Sequence, residues 1–311
     1  MHNVAILSRD SAHYQTLLNA AQLPQLTLVL VDNKVAETFD YAQVDILFGD
    51  PDLTVQVLKQ CTHLKWLQST WAGNAALFAV DKNNYQLCGV KGVFQQAMQE
   101  YVFAYLLYFS RNLSGFNQAQ KNTRWAPPKY QTLAGKTLGI MGVGNIGKAI
   151  AKMAKHFSMQ TRGYTRSSQD CEFIDRYFSY DNVQAFAADL DYLVCLLPQS
   201  SETSGLIDQQ FLSYLPLRCV LINAGRGSTI VDSALIDALQ NKTLHAAVLD
   251  VFLEEPLPNT HPYWRLDNLY ITQHTAAESK PEDIFPLFRE NYHRFINGKA
   301  LQHVLDFNRG Y

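Results

Sequence analysis

Residues 138–157 constrain the fold of this 311-residue chain more than any other stretch. Leu138-Gly139-Ile140-Met141 is an apolar run of strand length. Gly142-Val143-Gly144-Asn145-Ile146-Gly147 follows with glycines at GxGxxG spacing, and Ile146 to Phe157 repeats apolar residues at helical spacing. Gly142 permits a tight turn, Gly144 lets a phosphate approach the backbone, and Gly147 lets the helix pack close to the strand. The helix start leaves N–H groups without intrahelical partners, and these suit an anion. A glycine triplet alone recurs by chance in loops. Strand, loop and helix in this order point to a dinucleotide-binding βα unit.

The same alternation extends in both directions. Ahead of residue 93 lie the strand-like runs NVAILS (3–8), TLVLV (27–31), DILFG (45–49) and LKWLQS (64–69), with amphipathic stretches between them. From Lys136 a second series runs through KTLGIMG, a helix from Asn145 to Phe157, MQTRGY, a helix near 183–188, DYLVCLLP, CVLINAG, a helix near 233–240, LHAAVLD and NLYITQH. Such βα series build parallel sheets, and the Val-, Leu- and Ile-rich strands of the second suit the centre of a doubly wound one. The segment 97–111 is apolar and aromatic on more than one face and reads as a buried helix linking two domains. Residues 114–134, with Trp125-Ala126-Pro127-Pro128, lose periodicity and read as an extended arm, a candidate oligomer contact. A last helix, 281–297, should kink at Pro286, and 300–307 reads as one more strand returning to the first domain. The expected class is α/β with two Rossmann-like domains. These are a flavodoxin-like, discontinuous substrate-binding domain (1–95 and 276–311) and a doubly wound nucleotide-binding domain (96–275).

Composition narrows the partners. Charged residues make up 17% of the chain and the net charge is -2, with no Lys/Arg run to meet nucleic acid or an anionic membrane. The five cysteines are odd in number and far apart, with no CxxC pair for zinc or thiol exchange, so no metal site is predicted and free thiols are expected. No apolar stretch approaches the 18 or so residues of a membrane span, and the N-terminal residues lack signal-peptide character. A cytoplasmic protein is expected.

In an NAD-selective site the second strand ends in an acid that bonds the ribose 2′-hydroxyl. Here it ends Tyr164-Thr165-Arg166-Ser167-Ser168, with no acid before Asp170. A guanidinium and hydroxyls favour a 2′-phosphate, so NADP(H) is the expected cofactor and NAD(H) the alternative. Three further residues fall at the ends of later strands: Arg226 in INAGRG, Glu255 in LDVFLEEPLP and His274 in YITQHTAA. Singly each has a bland reading as an exposed or loop residue. Together they suit hydride transfer to a ketone, with His274 protonating the developing alkoxide, Glu255 stabilising the imidazolium and Arg226 holding a substrate carboxylate. The rival from another class is a dinucleotide-sensing binding protein on the same fold, which has no need of that trio.

Through LKWLQSTWAG, MQEY, GIMGVGNIG, the LLP strand end, INAGRGSTIVDSAL, AAVLDVFLEEPLP and ITQHTAA the chain resembles the D-2-hydroxyacid dehydrogenase family over essentially its whole length. It looks most like the bacterial glyoxylate/hydroxypyruvate reductase A type, including the closing Asn308-Arg309-Gly310-Tyr311. The resemblance implies an active site in a cleft between two domains, a homodimer formed through the nucleotide-binding domain, and reduction of small 2-oxo acids to D-2-hydroxy acids. It makes His274 the general acid, Glu255 its partner and Arg226 the substrate-binding arginine. It also implies cofactor contacts from Gly142, Gly144, Asn145, Ile146, Gly147, Thr165, Arg166, Ser167, Leu197, Pro198, Ala224 and Gly225. Asp250 would meet the nicotinamide amide and Met98 the ring, although helix core is an equal reading of Met98. The backbone of Ala72 and Gly73 would bind substrate carboxylate, with Trp71 as a pocket wall. Gln273 replaces the family's usual Pro and Ala75 its frequent acid, which leaves the preferred substrate open; an NAD-linked D-lactate-type dehydrogenase is the rival enzyme.

Overall fold

The computed structural model describes residues 1–166 and 170–307, and the chain divides into two compact units, Met1–Val93 with Ser279 onward, and Phe94–Glu278. In the first unit, strands β1 (His2–Leu7), β2 (Leu26–Asp32), β3 (Ile46–Gly49), β4 (Trp66–Ser69) and β5 (Gln86–Cys88) form a parallel sheet in the order β2-β1-β3-β4-β5. This is the flavodoxin-like winding. Helices α1 (Ser11–Ala21), α2 (Pro51–Val57) and α3 (Ala75–Phe78) connect the strands, and the helix Pro281–Ile296 returns to the unit. Successive strand residues point to opposite faces, so both faces of this sheet carry apolar side chains. On one face Phe48 and Trp66 stack on Phe288 of the returning helix at 4.5 and 5.1 Å, and Tyr14 of α1 meets Phe48 edge-on. On the other, Leu47, Leu67 and Leu87 pack with Val57, Leu58 and Leu77.

One expectation changes here. Residues 300–307 do not form a strand: they make a single antiparallel bridge, Cys88 with Val304, flanked by Gly89 N–H to His303 O and Leu305 N–H to Leu87 O. His303 takes a left-handed backbone (φ 59°), which breaks the extended run on which a longer ladder depends. The returning helix spans Pro281–Ile296 with Pro286 inside it. Proline there removes one donor, whose partner would be the carbonyl of Glu282 in the first turn.

The second unit opens with α4 (Gln95–Ser110) and α5 (Leu113–Lys121). A seven-stranded parallel sheet follows, with β6 (Thr137–Met141), β7 (Gln160–Tyr164), β8 (Arg176–Phe178), β9 (Tyr192–Cys195), β10 (Val220–Asn223), β11 (Ala246–Leu249) and β12 (Leu269–Ile271). The order β12-β11-β10-β9-β6-β7-β8 is doubly wound, and it reverses between β6 and β9. Helix α6 (Asn145–His156) packs with α4 over Leu138, Ile140, Val194, Ile222 and Val248. Phe103 of α4 stacks on Phe157 at 5.2 Å. Leu193, Cys195, Leu221, Ala247 and Leu249 face the opposite layer, where Phe186 of α7 (Val183–Ala187), Phe211 of α8 (Gln209–Tyr214) and Leu235 of α9 (Asp232–Gln240) cover them. Each such Leu or Phe contributes about 1.5–3 kcal/mol of burial free energy.

The expected extended arm at 114–134 is partly wrong, because α5 occupies its start. That helix buries no residue, and its two large apolar side chains, Leu113 and Phe116, are exposed and too few for a periodicity reading to find. It is set by its cap: Asn112, left-handed at φ 51°, accepts from Gly115 N–H and donates its amide to Lys129 O. The three-residue strands β5 and β8 also escape the sequence, being too short for alternation to register. All five cysteines are free and buried, and burial pushes the Cys88 thiol up to about 12. Among the described residues no helix is long and apolar enough to cross a membrane.

Candidate active site

Arg226, Glu255 and His274 follow the C-terminal ends of β10, β11 and β12, three strands adjacent in the sheet. Ligands of open α/β sheets bind at such ends. His274 Nδ1 lies 2.7 Å from Glu255 Oε2, and Glu255 Oε1 accepts the Phe252 N–H at 2.8 Å. An ionised carboxylate only accepts, so Nδ1 carries the proton and Nε2 is the nitrogen free to exchange one with a substrate. The backbone at His274 is left-handed (φ 58°), and its N–H donates to Asp250 O at 2.8 Å.

Gly227 brings the arginine loop against the glutamate turn: a Cβ there would lie 1.9 Å from the Phe252 carbonyl carbon, so only glycine fits. Arg226 is half-buried, and its guanidinium makes one hydrogen bond among the described residues, Nη1 to Gly225 O at 2.6 Å. Burial lowers its pKa, and the Glu255 charge partly opposes that. A guanidinium stays protonated regardless, and its remaining donors suit an anion.

The glycine loop lies at the switch point of the sheet. Gly142 is left-handed (φ 97°), with its Cβ position against the Leu196 carbonyl. A Cβ on Gly147 would strike Gly142 O at 2.3 Å, whereas one on Gly144 would meet nothing within 4 Å. The open space lies over the N-terminus of α6, where Asn145 and Ile146 begin the helix. That combination fits a dinucleotide pyrophosphate. Gly225 approaches Leu197 closely and Thr203 Oγ1 donates to Pro198 O, so the loops after β9 and β10 border the same strand ends. Ala224 N–H donates to Cys195 O and Thr165 N–H to Phe178 O. Arg166, exposed, pairs with Glu202 at 2.8 Å, a partner 36 residues away that the sequence did not announce. Ser167 and the closing Asn308-Arg309-Gly310-Tyr311 lie outside the described residues. Met98 is buried on α4.

In the first unit, the loop after β4 is shaped by side chains. Thr70 Oγ1 donates to the buried Asp50, Ser69 Oγ accepts from Trp71 N–H, and the Asn74 amide donates to the Trp71 and Ala72 carbonyls. Among the described residues the N–H groups of Ala72 and Gly73 make no hydrogen bond, and such free donors suit an anion. The Arg9 guanidinium lies 5.5 Å from the Trp71 ring centroid.

The family comparison decides the class: the profile of the D-isomer specific 2-hydroxyacid dehydrogenase NAD binding domain matches residues 103–276. The chain belongs to the D-isomer specific 2-hydroxyacid dehydrogenase family. It is thus an NAD(P)-dependent oxidoreductase. A glyoxylate/hydroxypyruvate reductase A of Serratia proteamaculans is 33% identical over 70% of this chain and 69% of its own. A family member from Aeromonas salmonicida superposes with a TM-score of 0.93 at 38% identity, covering 98% of this chain and 99% of its own. An NADPH-dependent glyoxylate/hydroxypyruvate reductase of Sinorhizobium meliloti, in complex with NADP and sulfate, superposes with a TM-score of 0.89 at 25% identity over the full length of both chains.

Proposed function

We propose that this dehydrogenase reduces small 2-oxo acids, of the glyoxylate or hydroxypyruvate kind, to D-2-hydroxy acids, with NADP(H) preferred and NAD(H) accepted less well. The observation that carries this reading is the 2.7 Å His274–Glu255 pair on the strand end next to that of Arg226. When bound, the reduced nicotinamide supplies hydride to the substrate carbonyl carbon. Arg226 pairs with the substrate carboxylate and polarises the carbonyl. His274 delivers a proton from Nε2 to the oxygen, and Glu255 stabilises the imidazolium before transfer. The Ala72 and Gly73 N–H groups present a second carboxylate-binding surface on the first unit. The relatives named for glyoxylate and hydroxypyruvate support the substrate class. Purified protein with NADPH and a panel of glyoxylate, hydroxypyruvate, pyruvate and longer 2-oxo acids should oxidise NADPH fastest with the small acids. Tight NADPH binding with no turnover on any of them would favour a dinucleotide sensor instead.

For the cofactor, Arg166, paired with Glu202 in this structure, would supply the charge that a 2′-phosphate needs. Loss of hydrogen bonds to a charged group costs about 1.5–3 kcal/mol. Arg166→Ala is therefore expected to weaken NADPH binding by about 10- to 100-fold and NADH by less than about twofold, measured by nicotinamide fluorescence. Equal losses for both cofactors overturn the assignment. The second unit also exposes Leu113, Phe116, Trp125 and Tyr130 beside a cavity of about 400 Å³ lined in part by Tyr130, Tyr192 and Tyr270. This surface supports a homodimer. Sedimentation equilibrium should return twice the 35.2 kDa chain mass, and a single chain mass contradicts it.

A further inference from the structure

We infer that Tyr101 is a positioning residue for the general acid, acting through Thr272 and Asp250 on the loop that carries His274. The inference rests on the reading of His274 given above. Asp250, at the end of β11, is 2% exposed, and among the described residues it has no cationic partner. Its carboxylate is satisfied by that one loop: Oδ1 accepts from Thr272 Oγ1 at 2.6 Å, Thr275 N–H at 2.8 Å and Ala276 N–H at 3.2 Å, and Oδ2 accepts from Ala276 N–H at 3.1 Å. Its backbone carbonyl takes the His274 N–H. A buried carboxylate left without such donors would be costly, so the charge and the loop conformation hold each other in place.

The direction of the chain of hydrogen bonds follows from proton counting. Thr272 has one hydroxyl proton, and the carboxylate can only accept it. In the 2.9 Å contact between Tyr101 Oη and Thr272 Oγ1 the phenol must therefore donate. Burial raises the Tyr101 phenol above its ordinary value, so the donor keeps its proton. Helix α4 carries Tyr101, and Tyr105 packs edge-on against its ring at 5.2 Å. A relay thus runs from the helix through two side chains to a residue whose backbone is left-handed. That conformation is unfavourable for a non-glycine residue and persists where the surroundings impose it. With the relay weakened, the loop samples extended backbone and the imidazole leaves Glu255.

The test compares Tyr101→Phe, Thr272→Val, the double variant and Thr272→Ser, using NADPH and the best substrate of the panel. Each of the first two should lower kcat about 10-fold with NADPH affinity held within about twofold, as small misplacements of a catalytic group do. The double variant should be no worse than the poorer single one, because both cut one relay, and Thr272→Ser should recover most of the rate. In protein labelled with carbon-13 at histidine Cε1, the His274 signal, identified by its loss in His274→Ala, should be single in the parent and broadened or doubled in Tyr101→Phe. An unchanged His274 signal in Tyr101→Phe, or losses that multiply in the double variant, overturn the inference. Should the parent turn over none of the acids, the proposed reaction fails while the His274 signal still decides the relay.

Discussion

Replacing His274 with Ala is expected to lower kcat by about 10³-fold while NADPH affinity stays within about twofold. A positioned general acid contributes about 10²–10⁴ to proton transfer, and among the described residues no second titratable group hydrogen-bonds Glu255 in its place. The imidazole is exposed and makes one hydrogen bond among the described residues, while the backbone N–H keeps its bond to Asp250 O in the variant, so removal of the ring leaves no buried cavity. Steady-state rates followed by NADPH absorbance, with fluorescence titration of NADPH, separate the two effects. A variant with near-normal turnover would place the proton donor elsewhere. Glu255→Gln should do less harm than His274→Ala: it keeps an acceptor for Nδ1 and loses only the charge that stabilises the imidazolium.

Arg226→Ala should lower kcat/KM by about 10²–10⁴-fold, with both kcat and KM affected. Two charge-assisted hydrogen bonds to a carboxylate are worth about 1.5–3 kcal/mol each, and they also orient the carbonyl toward its proton donor. Arg226→Lys should recover little, because an ammonium cannot reproduce the planar fork. Steady-state kinetics on the preferred acid measure both parameters. If KM and kcat are unchanged in Arg226→Ala, Arg226 is outside the substrate site.

Much of this was legible without coordinates. The run from Leu138 to Phe157 declares strand, phosphate loop and helix locally, because glycine spacing and apolar period are properties of neighbouring residues. The buried parallel strands declare themselves as continuous apolar runs. Where signals were weak the reading failed for physical reasons. Helix α5 rests on a cap and buries no residue, and the 300–307 strand was broken by one left-handed histidine.

The chemistry of the site divides in the same way. Residue types and strand-end positions nominated Arg226, Glu255 and His274, since a ketone reduction needs a cation, a carboxylate and a group that releases a proton near neutrality. Their meeting required the order β12-β11-β10, which follows from how seven strands share one sheet. Glu202 beside Arg166, and Asp250 with Thr272 and Tyr101 behind His274, were invisible in the sequence. Tyr101 and Thr272 are 171 residues apart, and nothing in local propensity registers a hydrogen bond at that separation. The linear order of residues thus determined the sheets, the phosphate loop and the kinds of catalytic group. Tertiary packing decided which loops meet, because hydrogen bonds over such separations and left-handed backbones exist only once the sheet has closed.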